Sequence, residues 1–142
     1  MCLYVEKTKP GIARYDIKAF KVLIKDKYGN FHPYFDDHCE VQFDTLLTNN
    51  EKIHVSLHEP YFPYKHYVAS GVFHTFTNSF HLQKNLKDYL NLDNVYVCEA
   101  IIPKGTEYFI GFSHSFSHEV EHTYGSHKII YKNPVLLTEW LG

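Results

Sequence analysis

The sequence predicts an α+β domain, built as a curved, mostly antiparallel sheet with one principal helix packed on it. Three observations lead there. The chain of 142 residues is 44% apolar and 17% aromatic, which suits one core and is too short for two ordinary ones, so residues 1–142 are read as a single domain. Short runs rich in β-branched and aromatic residues alternate with Gly, Pro, Asn and Asp clusters, the pattern of strands and turns. Only one stretch, TNSFHLQKNLKDYLNL, repeats an apolar residue every four positions (Leu82, Leu86, Leu90), and with Thr77 or Asn78 as its cap it predicts a helix over about 78–92.

The remaining elements follow in chain order. DIKAFKVLIK predicts a strand, and DKYGN after it a turn in which Gly29 takes positive φ, leading into FHPYF as a hairpin partner. CEVQFDTL and KIHVSL are two further strand-like runs joined through the polar TNNE. HEPYFPYKHY (58–67), with two prolines and four aromatics, is unsuited to a central strand and reads as an ordered aromatic loop. SGVFHTF returns to strand character. NVYVCEAIIP is apolar on both faces, as a strand covered on both sides would be, and KGTEYFIGF follows through a turn. HKIIYKNPVLL supplies the last strand, while the polar segment between the last two reads as a loop.

Composition excludes several functions. The formal net charge of −2, with acids and bases interspersed, gives no basic field for DNA. No segment approaches the roughly 20 apolar residues of a membrane span, so a soluble, unexported protein is expected. The three cysteines, Cys2, Cys39 and Cys98, form no C-x-x-C pair; a reducing, cytoplasmic setting is expected rather than a disulfide framework, with Cys98 a small buried hydrophobe.

One motif stands out. His118-Glu119-Val120-Glu121-His122 spells H-E-x-x-H, which on a helix places two imidazoles on one zinc ion with the glutamate activating the metal-bound water. The longer metalloprotease pattern is missed, because Lys128 stands where the third histidine belongs and His127 comes one residue early. A chain with eleven histidines produces such a match by chance at roughly 0.05 per sequence. The flanks carry no apolar stripe. A zinc hydrolase using His118, Glu119 and His122 therefore stands as an alternative, as does structural zinc binding by His114, His118, His122 and His127, while a solvated loop without metal is the favoured reading. The nucleotide-binding glycine motifs and the G-x-S-x-G elbow are absent from the sequence.

Three segments together, GVFHTFTNSFHLQKNL, VYVCEAIIPKGTEYFIGF and YGSHKIIY, resemble a group of small phage and gut-bacterial proteins of unassigned activity. That group runs G-[FI]-H-x-F, a short helix, I-P-K-G-[ST]-x-Y-[YF] and a closing Y-A-S strand, and the likeness covers about half the chain. It implies a variable loop at SHSFSHEVEH. A more distant likeness is to ADP-ribosyltransferase-type folds, whose catalytic residues are not matched here.

The polar and aromatic residues of these motifs, His74, Thr75, Lys104, Tyr108, Tyr124, Ser126 and Lys128, fall at strand ends and are expected to line one site. Rings stack on a base, while hydroxyl, imidazole and lysine donors hold phosphate. The function expected first is therefore a ligand-binding protein, of phage or viral derivation, that takes up a nucleotide or nucleotide signal and withholds it from host defence. A partner-binding inhibitor using Tyr61, Phe62, Tyr64 and Tyr67 is the third reading, its partner a host protein or a second copy of the chain.

Overall fold

The structure is a computed structural model, and it describes residues 3–33, 40–61, 64–79, 82, 93–115 and 118–141. Among these residues lie β1 (Leu3–Val5), β2 (Gly11–Ile12), β3 (Ile17–Lys25), β4 (Phe31–Pro33), β5 (Leu46–Thr48), β6 (His54–Tyr61), β7 (Tyr64–Ser70), β8 (Phe73–Phe76), β9 (Val95–Ile102), β10 (Glu107–Ser115), β11 (His118–Ser126) and β12 (Lys128–Leu136), followed by a short helix, Leu137–Leu141. All twelve strands join one sheet in the order β5-β12-β9-β3-β8-β11-β10-β1-β7-β6, with β2 on β10 and β4 on β3.

This corrects the predicted α+β class: the protein is mostly β. The helix expected over 78–92 falls almost wholly outside the described residues. Of it, Ser79 and Leu82 are helical, and the Leu82 N–H donates to the Asn78 carbonyl at 3.2 Å. Of the strands beyond those expected, β7 and β11 come from segments read as loops, and β1 and β2 from the N-terminal stretch. Residues 58–61 and 64–67 form the end of β6 and the start of β7, paired at Tyr61 and Tyr64, and β6 is an edge strand, where proline is tolerated. The histidine-rich segment contributes the end of β10 and the start of β11, with Ser115 opposite His118.

Other readings hold in detail. β3 leads into a turn with Gly29 at φ 86° and returns as β4, Lys25 opposite Phe31. Asp26 fixes that turn, its carboxylate accepting from the Tyr28 and Asn30 N–H groups at 2.9 Å each and lying 2.6 Å from the His32 ring. β9 is covered on both faces: Val95 and Val97 pack with Val22, Phe76, Leu82 and Leu137, while Cys98 and Ala100 pack with Ala19, Leu23, Ile129 and Tyr131. No helix among the described residues is long and apolar enough to cross a membrane.

The sheet curls tightly. β12 and β8 are separated by β9 and β3, which in a flat sheet sets them about 14 Å apart. Yet the Phe73 and Tyr131 rings meet edge to face at 6.5 Å. The chain also passes from β11 to β12 through His127 alone, whose N–H donates to Glu107 and whose carbonyl accepts from Asn49. β11 and β12 thus run on as one bent strand, giving β12-β9-β3-β8-β11 a barrel-like closure. The inner face holds Ala19, Leu23, Cys98, Ala100, Ile129, Tyr131 and Phe73, and at one end Ala13, Ile17 and Ile102 with Tyr108 and Tyr124.

Candidate functional site

Register decides which of the expected residues meet. Residues directly opposite on neighbouring strands share a face, and successive residues alternate. Tyr124 lies opposite Thr75, and Ser126 lies opposite both Phe73 and Tyr108. Thr75, Tyr108, Tyr124 and Ser126 therefore share the inner face, where the Tyr108 and Tyr124 rings pack at 5.9 Å and 72°. His74 is opposite Gly125 and points to the other face. Lys104 and Lys128 are exposed, Lys104 in the turn before β10 and Lys128 on β12 beside the buried Ile129, so neither side chain joins the inner face.

Two further residues belong at the same end and escape a reading by motif. The 13–16 loop is tied to the 103–106 turn: the Ala13 N–H donates to Thr106, the Gly105 N–H to Ala13, and the Lys104 N–H to the Asp16 carboxylate, at 2.9, 2.8 and 2.9 Å. That docking carries Arg14 and Tyr15 to the end of the barrel where Tyr108 and Tyr124 lie. Tyr15 is 70% exposed and Arg14 is exposed. Burial, and then the Tyr108 and Tyr15 hydroxyls, hold the Tyr124 hydroxyl above its usual range. Gly11, opposite Tyr108 on β2, adds no side chain over that ring. The only sequence signal for Arg14-Tyr15 is that Arg14 is the chain's sole arginine.

Opposite the tyrosines the inner face carries two buried hydroxyls. Thr75 is 3% and Ser126 0% exposed, and neither hydroxyl oxygen has a hydrogen-bond partner among the described residues. Lys21, beside them on β3, donates from Nζ to the His74 carbonyl at 2.6 Å. Cys98 lies opposite Lys21, 1% exposed, with burial pushing its thiol up to about 12. A thiol so held stays protonated and inert. Cys98 should therefore escape a thiol reagent in the folded protein and react fully in denaturant, as peptide mass mapping would read.

The H-E-x-x-H residues lie on β11, with an extended backbone. Four residues of strand span about 13 Å, against the 5–6 Å between side chains one helical turn apart, so the zincin arrangement is not formed. The pairing shifts between Gly111 opposite Thr123 and Ser113 opposite Val120, leaving one extra residue in β11 inside the motif. The His114, His118 and His122 side chains are outside the described residues. His127 donates from Nδ1 to the Gly71 carbonyl at 2.8 Å. Among the described residues, no three His, Cys, Asp or Glu side chains are grouped to hold a metal.

Of the aromatic segment, Phe62 and the Tyr61 and Tyr64 side chains are likewise outside the described residues. The Tyr67 ring is 6.5 Å from Tyr4, which in turn meets Phe112 at 6.1 Å, so Tyr67 takes part in a packed row.

No protein-family model, curated protein or solved structure matches this chain.

Proposed function

We propose that the protein binds a nucleotide at the end of the barrel where Tyr15, Tyr108 and Tyr124 meet, as a capturing protein rather than a catalyst. The observation that carries this reading is the docking of the 13–16 loop, with its exposed Arg14 and Tyr15, onto the turn that carries Lys104, at the end of the barrel where Tyr108 and Tyr124 pack. Phenol rings offer stacking surface to a base, and the guanidinium and ammonium groups are suited to its phosphate. The inert Cys98 favours capture over turnover. The unpaired cysteine pattern supports a reducing, cytoplasmic setting. Withholding a nucleotide signal from a host defence is the biological role we attach to such capture.

Thermal melting tests this. Adenosine, guanosine, cytidine and uridine monophosphates and a cyclic nucleotide, each at millimolar concentration, are compared with inorganic phosphate. At least one nucleotide should raise the melting temperature more than phosphate does. Tyr15→Ala and Lys104→Ala, both at exposed sites, should melt like the parent alone and bind at least tenfold more weakly, since one stacked base is worth about 1–3 kcal/mol. Tyr28→Ala, 79% exposed in the β3–β4 turn, should bind normally. If every nucleotide leaves the melt unmoved, the reading fails.

A further inference from the structure

Register places a polar row across the inner face that runs through Tyr124. Cys98 lies opposite Lys21, and Tyr124 opposite Thr75. The single pair joining β3 to β8, Phe20 with Phe76, sets the next residues, Lys21 and Thr75, side by side on the inner face. Ser126 is two residues along β11 from Tyr124 and lies opposite Tyr108. The Lys21 ammonium is committed to the His74 carbonyl, where β3 and β8 share no further ladder bond. The hydroxyls of Thr75 and Ser126 are different: both are more than nine-tenths buried on a face shared with the tyrosines, and neither oxygen has a partner among the described residues.

Burying an unpartnered hydroxyl costs about 1–3 kcal/mol, so two on adjoining strands are a debit to folding that packing does not explain. Thr75 is level with Tyr124 and Ser126 with Tyr108, on the inner face those rings share. A nucleotide seated with its phosphate at the Arg14 and Lys104 rim and its ring among the tyrosines would bring the polar edge of its base against these two hydroxyls. A hydroxyl both donates and accepts, so it can meet either a ring nitrogen or an exocyclic group.

We infer that Thr75 and Ser126 are the specificity-determining residues of the site, reading the hydrogen-bonding edge of a nucleobase. This rests on the nucleotide reading above and goes further by assigning the selection of a base over a plain aromatic ring to two buried hydroxyls. A site that hydrogen-bonds its ligand rejects an analogue lacking the matching group far more strongly than a greasy slot rejects a size change, because its own polar atoms stay unpaired.

Calorimetric titration of the parent, Thr75→Val and Ser126→Ala with the four nucleoside monophosphates and with phenyl phosphate separates the outcomes. Phenyl phosphate keeps an aromatic ring and the phosphate but has no polar edge. The parent should prefer its best nucleotide over phenyl phosphate by at least tenfold. Each variant should lose most of that preference while its affinity for phenyl phosphate stays within about twofold of the parent's. In the absence of ligand each variant should melt at or above the parent temperature, the opposite of what a structural hydroxyl would give. Equal preference in parent and variants, or a parent that binds phenyl phosphate as tightly as any nucleotide, overturns this inference and leaves the tyrosine and cation site standing. Binding of none of these compounds overturns both.

Discussion

Gly71→Ala should lower the stability of the protein by about 3 kcal/mol or more. Gly71 sits at the corner between β7 and β8 at φ 92°, a conformation in which an L side chain costs about 1–2 kcal/mol. A methyl group there would also lie 2.5 Å from the Ile53 nitrogen and the Lys52 carbonyl carbon and 2.6 Å from the Ile53 Cα. These are backbone atoms, with no side-chain torsion to turn out of the way. The neighbouring Ser70 hydroxyl already bonds the Lys52 carbonyl at 3.0 Å, so this approach of the two segments is fixed. Moving Gly71 would further disturb its carbonyl, which accepts from His127 at the β11–β12 junction. Gly105→Ala is the matched control: φ is 88° but nothing lies within 4 Å of the added carbon, so only the conformational cost of about 1–2 kcal/mol is expected. Urea unfolding of both variants measures the difference, and equal losses would show that the close approach at Gly71 contributes nothing.

The second large effect is a loss of stability in mild acid that belongs to one histidine. Burial, and then the nearby Lys21 charge, push the His74 ring down to about 3 from an ordinary value of 6.5, and its Nε2 is buried without a partner among the described residues. Above pH 6.5 the ring is neutral whether the chain is folded or not, and its acid-linked cost is absent. As pH falls below 6.5 the unfolded chain takes up a proton that the folded chain refuses. Unfolding is then favoured by about 1.4 kcal/mol per pH unit, down to the folded value near 3. Between pH 7 and about pH 5 this single group should remove about 2 kcal/mol. His74→Leu keeps a side chain of similar bulk and cannot titrate, so its stability should fall by about 2 kcal/mol less over that interval. Contributions of the other histidines are common to both proteins and drop out of the comparison. Parallel curves of stability against pH for the two would show that His74 titrates normally when folded.

His74 also shows what a sequence reveals and where it stops. Its neighbours Phe73, Thr75 and Phe76 identify a strand, but a period of two means that a one-residue step changes the face, and only the pairing with Gly125 puts His74 behind the sheet. Strands with strong apolar patterning, β3, β9 and β12, were legible because burial on one or both faces leaves a direct imprint on composition. β11 was not: its first half, HEVEH, has the polarity of a loop, and it becomes a strand through pairing with β10. Of the site, Thr75, Tyr108, Tyr124 and Ser126 come together because β8, β11 and β10 are neighbours. Lys128 is excluded by the alternation of β12, where Ile129 takes the inward position. Arg14 and Tyr15 reach the site through bonds to residues 103–106, about 90 positions away, and nothing local to GIARYDIK encodes that docking. The H-E-x-x-H spelling misleads for a related reason: a zinc signature is a statement about helical spacing, and this stretch is extended.

Capture of a nucleotide by the tyrosine and cation cluster is the central claim, and native mass spectrometry of the untagged protein tests it most directly. The parent and an Arg14→Ala, Tyr15→Ala double variant are each sprayed from solutions containing an equimolar mixture of the four nucleoside monophosphates, with inorganic phosphate as the reference. The account predicts one nucleotide-sized adduct per parent chain, dominated by one base, and its loss in the double variant. A parent that stays bare at every ratio, or an adduct that the double variant retains undiminished, would contradict it.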